Sequence, residues 1–213
     1  MKDNPAVWTL FVGLQIAAVA VYFLVTDTVA LTAHHALIPV VWVTLGAWAV
    51  VNTPLPDELP SYAPLVAVVS GVYLLILLYL GGMVGTTTSP GSSFFVSSAS
   101  PGWGPIFGYT AEVFYLRVVP FQFVGYVVLA YLVFVALTDT ATSLVGAAVG
   151  MVSCVGCTWP IIAGILSVVG AGGVGATSAV QSLSYELSTV VFAVAVLVLY
   201  RYASPSAPSA STS

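Results

Sequence analysis

An all-α integral membrane bundle of about six helices is the fold this sequence predicts, and three observations predict it. Of its 213 residues 60% are hydrophobic and only 5% charged, whereas soluble domains carry about a quarter charged residues. Mean hydropathy is +1.09, so the solvent the chain is built for is lipid. Apolar runs of spanning length recur along it: the hydrocarbon core is about 30 Å thick and a helix rises about 1.5 Å per residue, so roughly 20 residues suffice. No internal repeat and no soluble domain interrupts them.

The first span is expected near 6–26. Lys2 followed by an apolar run and "AVA" at 18–20 has the outline of a signal peptide, but the run continues through Phe23 to Val25, too long for such an apolar region, so it is read as an uncleaved span. The second, near 33–51, is headed by His34 and His35. Adjacent histidines do not share a helix face, which weakens them as a chelating pair and favours an interfacial role. A third span follows near 62–84. The stretch 85–110, "GTTTSPGSSFFVSSASPGWGPIFGYT", has no charge and is rich in Ser, Gly, Pro and aromatics, which fits an ordered cap on the membrane surface.

The fourth span is expected near 113–137, with Pro120 and Gln122 marking a kink that faces protein. From Ala141 to Gly170 the chain is apolar for about 30 residues, roughly 45 Å as one helix and longer than the membrane is thick. The fifth span, 140–170, therefore breaks near Cys157–Pro160, because Pro160 cannot donate to the carbonyl four residues back. A glycine loop leads to the sixth span, near 179–200, and 204–213 forms a disordered tail. Trp8, Trp42, Trp48, Trp103 and Trp159 read as an aromatic belt.

The segment beside the break carries the main chemical candidates. Cys154 and Cys157 are the only cysteines, and their i, i+3 spacing puts them on one helix face, within reach of disulfide or metal chemistry if the helix opens locally. Met151 adds a third sulfur on the same broad side, and soft sulfur ligands select Cu(I) or a similar thiophilic ion. Packing competes as the explanation: Gly146, Gly150 and Cys154 recur every four residues, a stripe that lets membrane helices approach closely. It accounts for Cys154 but not for Cys157 or the break after it.

"SCVGCTWPIIAGILSVVGAGG" resembles the cysteine, proline and glycine segment of mercuric-ion transporters and of membrane thiol-disulfide carriers of the DsbD and CcdA type. The likeness covers about 20 residues. It implies that Cys154 and Cys157 are the reactive pair and Pro160 the helix-breaking proline. Mercuric transporters have a second cysteine pair, and the carriers place their cysteines on separate helices; this chain does neither. Over its whole length the chain resembles uncharacterised polytopic membrane proteins of halophilic archaea, and its pI near 4.6 with a single lysine is similar to that composition.

Glu186 lies about 15 residues, roughly 22 Å, from Arg201 along the last span, which places it below the outer surface. An acid at that depth is costly unless paired or protonated. The expected partner is Arg117, at similar depth in the fourth span, and a pair bordering the dithiol would let Glu186 exchange its proton. A wet interface shared with Gln181 and Ser184 is the competing reading. Lys2 and Arg201 at the two ends place both termini in the cytoplasm of a plasma-membrane protein if the span number is even, although Arg117 then falls outside.

Three basic residues leave no cationic patch for nucleic acid. No nucleotide-binding, metalloprotease or serine-hydrolase motif occurs, so at most a thiol-disulfide oxidoreductase is expected. The leading expectation is a membrane protein handling thiol redox or a thiophilic metal ion. The alternatives are a structural or assembly subunit of a larger membrane complex, partnered by lipid and other membrane proteins, and a small-solute transporter, since broken helices line substrate sites.

Overall fold

The computed structural model describes residues 4–26, 33–56, 58–88, 91–98, 104–140 and 176–203, with backbone only at 33–35, 139–140, 176–187 and 202–203. Five helices and four strands follow in chain order: α1 (Pro5–Thr26), α2 (Ala33–Asn52), α3 (Ala63–Leu80), β1 (Val84–Thr86), β2 (Ser93–Ser97), β3 (Ile106–Thr110), β4 (Phe114–Val118), α4 (Pro120–Thr140) and α5 (Ala176–Ala203). Three helices are long and apolar enough to cross a membrane: α1, α3 and Pro120–Thr138 of α4. Shorter apolar stretches lie in α2 and α5. This is the chain of a multi-pass membrane protein.

Prolines mark helix starts where their missing N–H costs nothing: Pro5 opens α1, Pro64 stands in the first turn of α3, and Pro120 opens α4. The stop of α3 is equally local. Gly82 is left-handed at φ 69°, its N–H donates to the Tyr79 carbonyl at 3.1 Å and the Met83 N–H donates to the Leu78 carbonyl at 2.9 Å. That pair of bonds is a Schellman cap, which satisfies carbonyls the helix leaves open.

Helix α4 is the most buried of the three long spans and forms the centre of the bundle. Its register with α2 is parallel: Trp42 packs on Phe121 and Gly125, Gly46 on Val128, and the Tyr131 hydroxyl donates to the Thr53 carbonyl. Helix α5 also runs parallel to α2, since Trp42 stacks on Phe192 and, further along, Trp48 packs on Tyr200. Helix α3 is antiparallel to α4, with Gly81 against Tyr126 at one end and the Tyr62 hydroxyl donating to the Thr138 carbonyl at the other. The core is apolar and aromatic, built from Trp42, Tyr73, Leu77, Phe121, Leu132, Phe192 and Val196 among others.

Outward faces are apolar as well. Leu10, Leu14 and Leu24 of α1, Leu65, Val68 and Leu75 of α3, and Val190 and Val194 of α5 are exposed. A helix that is hydrophobic all round is the pattern of a lipid-facing span.

The fold is not purely α-helical. Between α3 and α4 lies a four-stranded antiparallel sheet in the order β1-β4-β3-β2. The expected surface cap at 85–110 thus holds β2, β3 and most of β1, and the fourth span, expected from 113, begins at Pro120. Phe114–Val118 is β4, so Arg117 is on a strand and not in the fourth helix. The physical reason is that an apolar run of five residues meets a hydropathy criterion equally as strand or helix. Aromatic and branched residues at 106–110 and 114–118 pair instead. Pro120 accordingly starts a helix and does not kink one.

Candidate functional site

Among the described residues, the densest convergence of side chains is where α2, α4 and α5 meet. Trp42 is 3% exposed and stacks on Phe192 with ring centres 4.0 Å apart and planes 4° from parallel. Phe121 and Tyr126 meet it edge-on at 5.7 and 6.0 Å. Its Nε1 donates to Thr189 Oγ1 at 3.1 Å, satisfying the one polar atom that a buried tryptophan brings with it. Such closeness requires Gly125, where any Cβ would meet the Trp42 ring. Trp42 is therefore a core residue and does not belong to an interfacial belt, correcting the expectation from its position near a span.

A second polar contact joins α1 to α2. Gln15, 6% exposed, donates from Nε2 to Thr44 Oγ1 at 3.0 Å, while its Oε1 has no hydrogen-bond partner among the described residues. Ser70 Oγ on α3 is buried in the same unsatisfied state. In hydrocarbon such contacts hold helices together. None of these groups is a nucleophile poised by a base, and no three of His, Cys, Asp and Glu come together among the described residues.

Met151, Cys154, Cys157 and the break at Pro160 lie outside the described residues. Glu186 falls on α5, about one turn before Thr189, with its side chain outside the described set. Thr189 bonds Trp42, which packs on Phe121; Arg117 stands four residues before Phe121 on exposed β4. Backbone positions thus put Glu186 and Arg117 at the same end of the bundle, though Arg117 reaches it from a strand. His34 and His35 occupy the first turn of α2. The Trp42 cluster was not foreseen from sequence. Its signal was Trp42 and Gly46 one turn apart in the middle of an apolar run, a residue pair that suits close packing rather than a headgroup.

No curated protein and no solved structure matches the chain. A family of unknown function, DUF7546, matches residues 2–206. Since that match extends over nearly the whole chain, from before α1 to beyond α5, the protein belongs to the DUF7546 family.

Proposed function

We propose that this membrane protein handles thiol redox or a thiophilic metal ion through Cys154 and Cys157, with Met151 as an auxiliary ligand. The observation that supports the reading is the shared direction of α4 and α5. Thr140 ends α4 at one end of the bundle, and α5, running the same way, enters from the opposite end. The chain between 141 and 175 therefore joins opposite ends, and its apolar length suits one return crossing of about 30 Å. In this reading the dithiol lies on that crossing, the span count is six, and both ends of the chain lie on the cytoplasmic side of the plasma membrane. The acidic, lysine-poor composition supports a halophilic archaeal source.

As a redox pair, the two thiols pass two electrons and two protons to a partner disulfide. Cys154 and Cys157 become disulfide-linked while the partner becomes a dithiol. As a metal site, the two thiolates and the Met151 thioether supply soft sulfur donors suited to Cu(I). Binding the metal releases the two thiol protons, and Glu186, paired with Arg117, takes up one of them; in the exchange reaction both protons go to the partner dithiol.

Mass-tag alkylation of native membranes, with and without prior reduction and with Cu(I) added, tests this. A pair oxidised as isolated, or protected by Cu(I), is the expected result. Two thiols that stay reduced and indifferent to Cu(I), reacting only on unfolding, would overturn it. The interlocked aromatic core of α2, α4 and α5 favours a second reading, a structural subunit of a larger membrane complex. Under that reading the Cys154→Ser/Cys157→Ser variant changes no activity and lowers only the amount of assembled complex.

A further inference from the structure

Residues paired directly across strands share a sheet face, and successive residues alternate. The registers therefore separate the sheet into two unlike faces. One carries Ser93, Ser97, Thr110, Tyr115 and Arg117 with buried Ile106, 4% exposed, and has the half-exposed Phe95 ring lying over Gly108 and the Tyr115 ring over Gly85. The other presents Phe94, Val96, Phe107, Tyr109, Phe114 and Leu116, each between 40% and 67% exposed. Both charged residues at 106–118 avoid this second face: Arg117 is on the first, and Glu112 is in the β3–β4 turn.

We infer that the aromatic face lies on the bilayer as an amphipathic plate, inserted at headgroup depth and held there by apolar contact. This rests on the membrane-spanning reading of α3 and α4. Three observations select lipid as the occupant. The sheet is tied closely to both spans: only Gly81, Gly82 and Met83 separate α3 from β1, and Val119 alone separates β4 from α4. Upright, a five-residue strand would reach about 17 Å from the span, beyond an interfacial layer roughly 5–7 Å thick on each side, and would leave the aromatic face in water. Laid down, it would put that face against the same lipid that the exposed Ile76 and Tyr79 on α3 and Phe123 on α4 meet. Finally, Phe and Tyr with a single hydroxyl among six side chains is the composition that settles between hydrocarbon and headgroup. With one basic residue in the sheet, and that on the opposite face, binding does not depend on anionic lipid.

Spin labels test this in full-length protein carrying Cys154→Ser and Cys157→Ser. They are attached singly at Phe94→Cys, Val96→Cys, Ser93→Cys and, as a span control, Leu75→Cys. The protein is reconstituted in phosphatidylcholine vesicles with and without phosphatidylglycerol. Labels at 94, 96 and 75 are expected to meet membrane-dissolved oxygen severalfold more than a water-soluble nickel chelate, with the reverse at 93, alike in both lipids. If 94 and 96 are as open to nickel as 93 while 75 stays in lipid, the plate is wrong and the spans stand. Labels at 94 and 96 shielded from both reagents, with dipolar broadening between chains, would assign the face to a second copy and also overturn the proposal. Nickel access at 75 would overturn the spanning reading itself. Hydroxyl-radical footprinting of the unsubstituted protein gives an independent check: Phe94 and Phe107 should be protected and Tyr115 oxidised, and equal oxidation would contradict the inference.

Discussion

At the scale of single residues, Gly125 and Trp42 show how tightly this bundle is keyed. Trp42 is held between Phe192, Phe121 and Tyr126, so it has no free direction in which to yield. A methyl at 125 therefore meets a fixed ring, and overpacking of this kind costs about 1–3 kcal/mol. Gly125→Ala is expected to lower stability by that amount in detergent unfolding, whereas Gly71→Ala, with open space around its Cβ position, should not. The Trp42 to Thr189 hydrogen bond is a smaller matter, because interhelical bonds in membranes are worth about 0.6 kcal/mol on average. A double-mutant cycle of Trp42→Phe and Thr189→Val should return a coupling of about that size; a value near 3 kcal/mol would mean that the pair does more than pack.

Among elements, the ends of helices carry the clearest expectations. Gly82 holds a left-handed conformation in the cap of α3, which costs a side-chain-bearing residue roughly 1–2 kcal/mol. Gly82→Ala should destabilise by that amount and loosen the junction with β1, seen as faster amide exchange at Met83, whose N–H closes the cap. Pro120 makes the opposite case. At the first position of α4 it replaces an N–H that would be unpaired, so Pro120→Ala should cost only about 0.4–1 kcal/mol through chain entropy. A loss of several kcal/mol would instead indicate a kink inside a longer span. Strand β4 explains why 113–137 reads as a single span: its apolar residues adjoin those of α4, and hydropathy does not register the change from a two-residue to a 3.6-residue period across so few positions.

For the whole molecule, helix directions fix the topology. Residues 26 and 33 are joined by a short connection, which makes α1 and α2 antiparallel neighbours, and the registers of α3, α4 and α5 follow from their contacts. Asn4 and Ala203 thus lie at one end of the bundle, and the sheet lies at the other. Labelling at Asn4→Cys and at Glu112→Cys in sealed vesicles should therefore occur from opposite faces; labelling of both from the same face would contradict this arrangement. The Glu186 and Arg117 proposal also belongs to this scale, because it ties α5 to the sheet. Glu186→Arg or Arg117→Glu alone should reduce the amount of folded protein, and the two together should restore it. Failure of the exchange to restore would place Glu186 in a wet interface instead.

Sequence by itself determined that the chain lives in a membrane, because composition and run length depend only on the free energy of moving side chains into hydrocarbon. Helices α1, α2, α3 and α5 overlap the apolar runs at 6–26, 33–51, 62–84 and 179–200, although the third run continues past the Gly82 cap that ends α3. Tertiary structure alone decided the rest. Strand pairing at 84–118 depends on partners up to about thirty residues apart, the burial of Trp42 on a glycine of another helix, and the level of Glu186 on the shared direction of α2 and α5. A side chain apolar enough for lipid is equally apolar enough for a core, so only the packing distinguishes the two.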